Sequence, residues 1–112
     1  MSLQAELDQL EAEIQAQAGR VLHILELVLE ALDHQDVVTA DKTIAFDDDV
    51  DEGYLAIERE IELLLARKTP VAVDLRLSLA VLHINLHLER MADYCVSIAK
   101  LVKAAEGLTP AP

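Results

Sequence analysis

Two pairs of acidic residues are each separated by four positions: Asp47 with Asp51, and Glu89 with Asp93. On a helix this spacing places both carboxylates of a pair on one face, one turn apart. Like charges at this distance repel, so holding them near a core is costly unless a cation neutralises them. We therefore treat the four carboxylates as candidate metal ligands. Their all-oxygen chemistry suits Mg²⁺ or Mn²⁺, and carboxylate-rich helical bundles also bind iron.

Acidic pairs at this spacing are also common on solvated helix faces that bind no ion. Lys42 and Arg90 lie close to the pairs in sequence, and salt bridges to them would account for part of the clustered charge. The residues alone therefore leave two hypotheses open, a metal site and a purely structural helical module without one.

A calcium-binding loop is a rival explanation of the first pair. Acidic residues occupy the first, third, fifth and twelfth positions of such a loop, namely Asp47, Asp49, Asp51 and Glu58. The sixth position is Glu52, where the sharp turn of the loop requires Gly. The apolar periodicity also continues through this segment without a break, so a helix is favoured over a loop.

Other residues that could do chemistry are few. His83 and His87 are spaced for joint Zn²⁺ ligation, but no third ligand of a suitable type follows on that face. The single cysteine, Cys95, lies in an apolar helical context, where a reduced and buried thiol is expected. No Ser-His-Asp set, Cys-His set or Gly-rich phosphate loop is recognisable. We therefore expect no enzymatic activity and a reducing compartment.

The charge of the chain excludes several classes of partner. Of 112 residues, 21 are acidic and nine basic, which gives a formal net charge of −12. Such a field repels nucleic acids and anionic membrane surfaces. The N-terminal segment lacks the pattern of a secretion signal, and the most apolar window, residues 71–88, is too polar for a membrane span. We expect a cytoplasmic protein with no membrane insertion.

Three long helices are predicted from the apolar periodicity, with steps of three and four residues. The first stripe contains Leu3, Leu7, Leu10, Ile14, Ala18, Val21, Leu25, Val28 and Leu32. The second runs through Ala40, Thr43, Asp47, Val50, Tyr54, Ile57, Ile61 and Leu64. The third contains Leu77, Val81, Ile84, Leu88, Met91, Cys95, Ile98 and Val102, beside a further apolar row of Leu75, Leu79, Leu82 and Leu86. The second stripe therefore places one acidic residue at a core position.

The helix boundaries decide whether the acidic pairs meet. Asp36 is predicted to cap the second helix, Thr69 to cap the third, and Pro70 to occupy the first position of the third helix. Both acidic pairs lie some twenty residues from this turn, so an antiparallel arrangement brings them to the same level. We predict an all-α, elongated up-down-up bundle over residues 1–107, with helices of about 45 Å, followed by a linker-like tail over residues 108–112.

Two segments resemble the signature stretches of the PhoU family. Residues 65–76 contain Pro-Val-Ala-x-Asp-Leu-Arg, and residues 88–93 contain Glu-Arg-x-x-Asp at a matching distance. The resemblance extends from about Leu3 to Lys103. Three positions differ from the usual family pattern, namely Thr69, His87 and Ala92, and these differences bear on the metal more than on the fold.

The resemblance implies one three-helix repeat of a metal-binding regulator of phosphate uptake. It implies that Asp47 with Asp51 and Glu89 with Asp93 are its two carboxylate motifs, holding a divalent or ferric ion such as Mg, Mn, Zn or Fe. It further implies contacts with the phosphate-specific ABC transporter and a sensor histidine kinase. Family members typically contain two repeats, so we expect this single repeat to form a homodimer.

Overall fold

Three long helices account for nearly all of the chain. The computed structural model describes residues 2–68 and 70–108, and its helices are α1 (Leu3–His34), α2 (Val37–Arg67) and α3 (Ala72–Ala104). They have 32, 31 and 33 residues and pack against one another as a bundle measuring 59 × 21 × 17 Å. The predicted all-α, up-down-up bundle is confirmed. Most of the predicted tail, residues 109–112, lies outside the described residues.

The junction between α1 and α2 is held by the predicted cap. The Asp36 carboxylate accepts hydrogen bonds from the backbone amides of Val38 and Thr39 and from the Thr39 hydroxyl. The hydroxyl bond, followed by the backbone bonds, lowers the pKa of Asp36. Gln35 ends α1 in the left-handed conformation, with φ of 50°. The short connection forces α2 to run back along α1.

The predicted start of α3 was wrong by two residues. The helix begins at Ala72, and Val71 precedes it without any side-chain capping bond. Pro70 therefore lies in the connection and not in the first helical turn, while Thr69 lies outside the described residues. The backbone is extended at Lys68 and Val71, so the connection is longer than the tight turn that we predicted. The antiparallel order of α2 and α3 is unaffected.

The buried stripe of α1 differs from the predicted stripe at three places. Gln17, Ile24 and Ala31 are buried, whereas the predicted Ala18 and Leu32 are exposed and the predicted Leu25 is only partly buried. The observed stripe repeats in strict steps of three and four, which keeps it facing its neighbours along the whole helix. The predicted stripe instead takes steps of four after Ile14, Val21 and Val28, and therefore misses the buried Gln17, Ile24 and Ala31.

The core side of α3 is formed by smaller residues than predicted. Leu77, Ile84 and Met91 are exposed, and small or polar residues take their place in the interior, namely Ser78, Asn85, Ala92 and Ala99. These alternate with Val81, Leu88, Cys95 and Val102. Small side chains let the three helix backbones approach closely, and the larger aliphatic residues then lie on the flanks. The predicted stripe of α2 is confirmed, with Asp47 and Tyr54 as its half-buried members.

The described helices contain no segment with both the length and the apolarity that a membrane crossing requires.

Candidate metal centre

Three carboxylates from two helices meet in the groove between α2 and α3. Asp47 and Asp51 project from successive turns of α2, and Asp93 projects from α3. One oxygen of each lies within 4.8 Å of the others. Asp47 and Asp51 are half-buried, whereas Asp93 is exposed. The cluster is therefore open to solvent on the Asp93 side and closed by the bundle on the Asp47 side.

Glu89 brings a fourth carboxylate to the same place from the turn of α3 before Asp93. Its side chain is half-buried and lies within hydrogen-bonding range of Asp51. Three of the four predicted residues thus meet within 4.8 Å of one another, and Glu89 lies beside Asp51 outside that group. The antiparallel arrangement explains this convergence, because the two pairs lie at similar distances from the connection between α2 and α3.

The crowding of negative charge raises the pKa values of two of these carboxyl groups. Burial, followed by the charges of Asp51 and Asp93, raises the pKa of Asp47 to about 6. Burial, followed by the charge of Asp93, raises the pKa of Glu89 to about 7. Each of these groups is easier to protonate than an ordinary carboxyl group because its anion is partly shielded from water and lies beside other negative charges.

Two oxygens of the cluster have no hydrogen-bond partner. Asp47 Oδ1 and Glu89 Oε2 are inaccessible to solvent and accept no hydrogen bond from the described residues. Among the described residues, neither Lys42 nor Arg90 forms an ion pair with these carboxylates. Buried and unpaired acceptors are costly in a folded protein. Four hard oxygen donors with two unpaired atoms fit a Mg²⁺, Mn²⁺ or iron ion.

Two buried side-chain amides form hydrogen bonds between the neighbouring helices and residues 50–54 of α2. Gln17 of α1 donates from Nε2 to the Val50 carbonyl at 2.8 Å, and Asn85 of α3 donates from Nδ2 to the Tyr54 carbonyl at 3.0 Å. Val50 and Tyr54 lie on either side of Asp51 in sequence. These bonds therefore set the position of α2 relative to both other helices at the level of the carboxylates.

Gly53 makes the contact with α1 possible. A Cβ atom at this position would overlap the Gln17 side chain and lie 2.6 Å from Nη2 of Arg20. Arg20 in turn donates from Nε to Gln17 Oε1 at 2.7 Å. The glycine thus provides space for a polar bridge between the helices. The sequence left open whether Gly53 marks close packing or a local irregularity, and the structure shows close packing. We did not predict the roles of Gln17 and Asn85, for which the available signal was an amide side chain at a core position of a heptad pattern.

Tyr54 and Cys95 border the cluster. The Tyr54 hydroxyl donates to Glu58 Oε2 at 2.9 Å, and this bond raises the pKa of Tyr54. Burial, followed by the charge of Asp47, raises the pKa of the Cys95 thiol. Both groups stay protonated near neutral pH. Cys95 is consequently an unreactive core residue, as the sequence predicted, and not a nucleophile.

The alternative sites do not form in the structure. The helix α2 is continuous from Val37 to Arg67, so residues 47–58 do not adopt the loop that a calcium site would need. His83 and His87 are both exposed on α3. Among the described residues, one group of at least three His, Cys, Asp or Glu side chains lies close enough together to share an ion. It consists of Asp47, Asp51 and Asp93.

Comparison with known proteins identifies the family. The PhoU domain model matches residues 14–102. Three relatives are phosphate-specific transport system accessory protein PhoU homologs from Xylella fastidiosa, Clostridium acetobutylicum and Aquifex aeolicus. They are 33%, 32% and 33% identical over 96%, 93% and 89% of this chain, and over 44%, 48% and 45% of their own lengths. The chain thus spans about half the length of the curated relatives it matches.

No solved structure shows a significant match to the chain. The family model nevertheless covers most of the three helices, including both acidic pairs. On this match and on the relatives of at least 30% identity, the chain belongs to the PhoU domain family.

Proposed function

We propose that the chain is a metal-binding, non-enzymatic regulator of phosphate transport that acts in the cytoplasm. The observation that carries the proposal is the meeting of three carboxylates within 4.8 Å in a PhoU domain, with unpaired buried oxygens on Asp47 and on the neighbouring Glu89. The relatives are named as accessory proteins of a phosphate-specific transport system. We extend that role to this chain, with the phosphate-specific transporter and a sensor kinase as its protein partners.

The ligands in this proposal are Asp47 and Asp51 of α2 with Glu89 and Asp93 of α3. A bound cation would supply the positive charge that these residues lack. Because the ligands come from two helices, binding would also link α2 to α3 at mid-height of the bundle. The bound ion would change the stiffness and charge of the surface that protein partners contact. The function would then follow from this change and not from a chemical reaction.

Metal titration tests the ion-binding part. Protein stripped of metal is titrated with Mn²⁺, Mg²⁺, Zn²⁺ or Fe³⁺, and the bound ion is counted by elemental analysis while the melting temperature is recorded. We expect at least one of these ions to bind and to raise the melting temperature by several degrees, because an ion that binds only the folded state stabilises it. The double substitution Glu89→Ala and Asp93→Ala should abolish this binding while helicity is retained.

A matched control is available beside the site. Asp48 and Asp49 are exposed acidic residues on the same turns of α2, so Asp48→Ala with Asp49→Ala removes the same formal charge without removing a proposed ligand. This variant should keep the ion. If the wild type binds none of the four ions, the second candidate function is favoured, namely a structural helical adaptor with vacant carboxylates. If both variants bind an ion equally well, Glu89 and Asp93 are not its ligands.

The regulatory part is tested by partner capture. The wild-type chain should co-purify with subunits of the phosphate-specific transporter or with the sensor kinase of the same cell. The Glu89→Ala and Asp93→Ala variant should recover less of them if the ion shapes the contacting surface. Absence of both partners from the wild-type eluate would contradict the proposed role while leaving the metal site intact.

A further inference from the structure

A row of leucines on α3 leads to the carboxylate cluster. Starting at Leu75, apolar residues repeat in steps of four and three, and the same steps continue to Glu89 and Asp93. Residues at this spacing lie on one flank of a helix. Since Glu89 and Asp93 lie beside carboxylates of α2, this flank of α3 borders the groove between α2 and α3, which we call the α2–α3 groove. We call the four apolar members of the flank the leucine row, namely Leu75, Leu79, Leu82 and Leu86.

The opposite wall of the α2–α3 groove, formed by α2, is acidic. Residues 47–58 contain six acidic residues and no Lys or Arg. Asp51, Tyr54 and Glu58 repeat in steps of three and four, and the Tyr54 hydroxyl donates to Glu58 Oε2 at 2.9 Å. The bond from Asn85 to the Tyr54 carbonyl places this segment beside the leucine row. The groove therefore has one anionic wall and one apolar wall.

The leucine row is accessible to another molecule. Leu75, Leu79 and Leu86 are 37%, 40% and 36% exposed, whereas Leu82 is partly buried and packs against the core. Single exposed leucines are ordinary on a protein surface. A row of them at steps of four, three and four instead matches the spacing by which a helix receives the side chains of another helix. The row therefore indicates a surface on which a helix docks.

We propose that the α2–α3 groove binds an amphipathic helix of a partner protein, with its apolar side on the leucine row and a Lys or Arg at one end on the carboxylates. A cation carried by the helix would supply the positive charge that Asp47 and Glu89 lack, and each of them has an unpaired buried oxygen. A helix with an acidic end would add negative charge to a chain whose net charge is −12, and would be repelled.

The dimensions of the groove set the length and direction of this helix. From Leu75 to Glu89 the flank of α3 is about 21 Å long at 1.5 Å per residue, which is about four helical turns. The cationic residue would lie at the Glu89 end, and the apolar residues would extend toward Leu75. The partner is therefore a helix of about four or five turns with a leucine-like stripe and one basic end.

The basic side chain and a metal ion would be alternative occupants of the same carboxylates. An ion bound as proposed above would thus weaken the docking of the helix, which would couple partner binding to metal. This coupling rests on the proposed function. Docking of the helix itself requires no ion.

Peptide binding to the full chain in excess chelator tests the proposal. The probe is a designed helix of about 20 residues with a leucine stripe at the spacing of the leucine row and two lysines at one end. A second peptide carries two glutamates in place of the lysines. Fluorescence anisotropy should show a saturable one-to-one complex with the lysine peptide. The glutamate peptide should bind at least ~10-fold more weakly, because like charges meet at the carboxylates.

Substitutions in the leucine row test the apolar wall. Leu75→Ser with Leu79→Ser should weaken binding of the lysine peptide at least ~10-fold, because two apolar contacts are lost. Leu22→Ser with Leu29→Ser is the matched control, since both leucines are exposed on α1, outside the groove. The control should bind like the wild type, and circular dichroism should show unchanged helicity for both variants.

A neutral version of the α3 carboxylates tests the anionic end. Glu89→Gln with Asp93→Asn keeps the size of both side chains, and it should reduce the preference for the lysine peptide over the glutamate peptide at least ~10-fold. The proposal is overturned if the wild type does not bind the lysine peptide, or binds the two peptides equally. An equal loss of binding in the Leu22→Ser and Leu29→Ser control also overturns it.

Replacing the chelator with Mn²⁺ separates this proposal from the proposed function. The ion should weaken binding of the lysine peptide at least ~10-fold, since both occupy the carboxylates. If the peptide binds but the chain takes up no ion, the metal-binding part of the proposed function fails and helix docking stands. If the chain takes up an ion but does not bind the peptide, helix docking alone fails.

Discussion

The protonation of Asp47 and Glu89 would set the affinity of the proposed metal site near neutral pH. The pKa values of about 6 and about 7 mean that one or both carboxyl groups are protonated in mildly acidic solution. A proton and a metal ion are alternative ways of offsetting the same clustered charge. A metal ion bound as proposed would therefore compete with protons for these oxygens.

Metal affinity should consequently rise with pH. Both groups bind protons below about pH 6, so a metal ion must displace them there, whereas at pH 8 the carboxylates are free. We expect the association constant for Mn²⁺ to increase at least ~10-fold between pH 5.5 and pH 8, with proton release at the lower pH. Calorimetric titration in buffers of different ionisation enthalpy measures both quantities. An affinity independent of pH would contradict the assignment of these two residues as ligands.

Protonation of Glu60 affects the stability of the fold, and this residue lies outside the proposed metal site. Burial, then a hydrogen bond and repulsion from Glu13, raises the pKa of Glu60 to about 7. The folded protein thus retains a proton that the unfolded chain loses near pH 4.5. This group therefore favours folding at low pH, and its contribution is lost as the pH rises from about 4.5 to about 7.

Substituting Glu60→Gln should remove this penalty. At pH 8 we expect the free energy of unfolding to increase by about 1 kcal/mol, a value reduced from the full shift because solvent screens a half-buried group. At pH 4 the substitution should have little effect, since Gln resembles the protonated acid. Urea unfolding at both pH values measures the difference. The nearby exposed Glu62→Gln is the control, and an equal gain from both variants would contradict the explanation.

At the scale of the helices, close packing determines core positions that the apolar periodicity alone does not predict. The long apolar repeats predict the number and length of the helices and the all-α class, because burying one stripe per helix is the main driving force for a bundle. The convergence of the acidic pairs follows from their equal distances to the α2–α3 connection. The core positions of Gln17, Ser78 and Asn85 could not be predicted in this way. They depend on how closely two backbones approach and on hydrogen bonds to main-chain carbonyls, which belong to α2 for Gln17 and Asn85 and to α3 itself for Ser78.

Two glycines offer a direct comparison of packing with helix propensity. Gly19 lies in α1, and a Cβ added there would have nothing within 4 Å, whereas a Cβ at Gly53 would overlap Gln17 and Arg20. Ala is favoured over Gly in a helix interior by about 1 kcal/mol. We expect Gly19→Ala to stabilise the protein by roughly that amount.

Gly53→Ala should instead destabilise it by about 1–3 kcal/mol, because Gln17 and Arg20 must move and their hydrogen bonds are strained or lost. Thermal unfolding of both variants, converted to free energies of unfolding, measures the difference. A stabilised Gly53→Ala protein would show that the bridge from α1 is more adaptable than its geometry indicates.

At the scale of the whole molecule, the three grooves of the bundle differ in chemistry. The α2–α3 groove contains the carboxylate cluster, the α1–α2 groove contains the Glu13 and Glu60 pair, and the side where α1 borders α3 exposes aliphatic residues such as Leu29 and Ile84. The groove of the proposed metal site thus lies about a third of a turn around the long axis from the apolar side formed by α1 and α3. Each surface can be altered by substitution without direct contact with the other.

The two buried amides have a consequence for which substitutions α2 tolerates. Gln17 and Asn85 both bond to main-chain carbonyls, of Val50 and Tyr54, and every amino acid carries such a group. Side-chain variation at residues 50 and 54 is therefore limited by the space available and not by any need to preserve an acceptor. Chains that share this helix alignment can differ at both positions while the alignment persists.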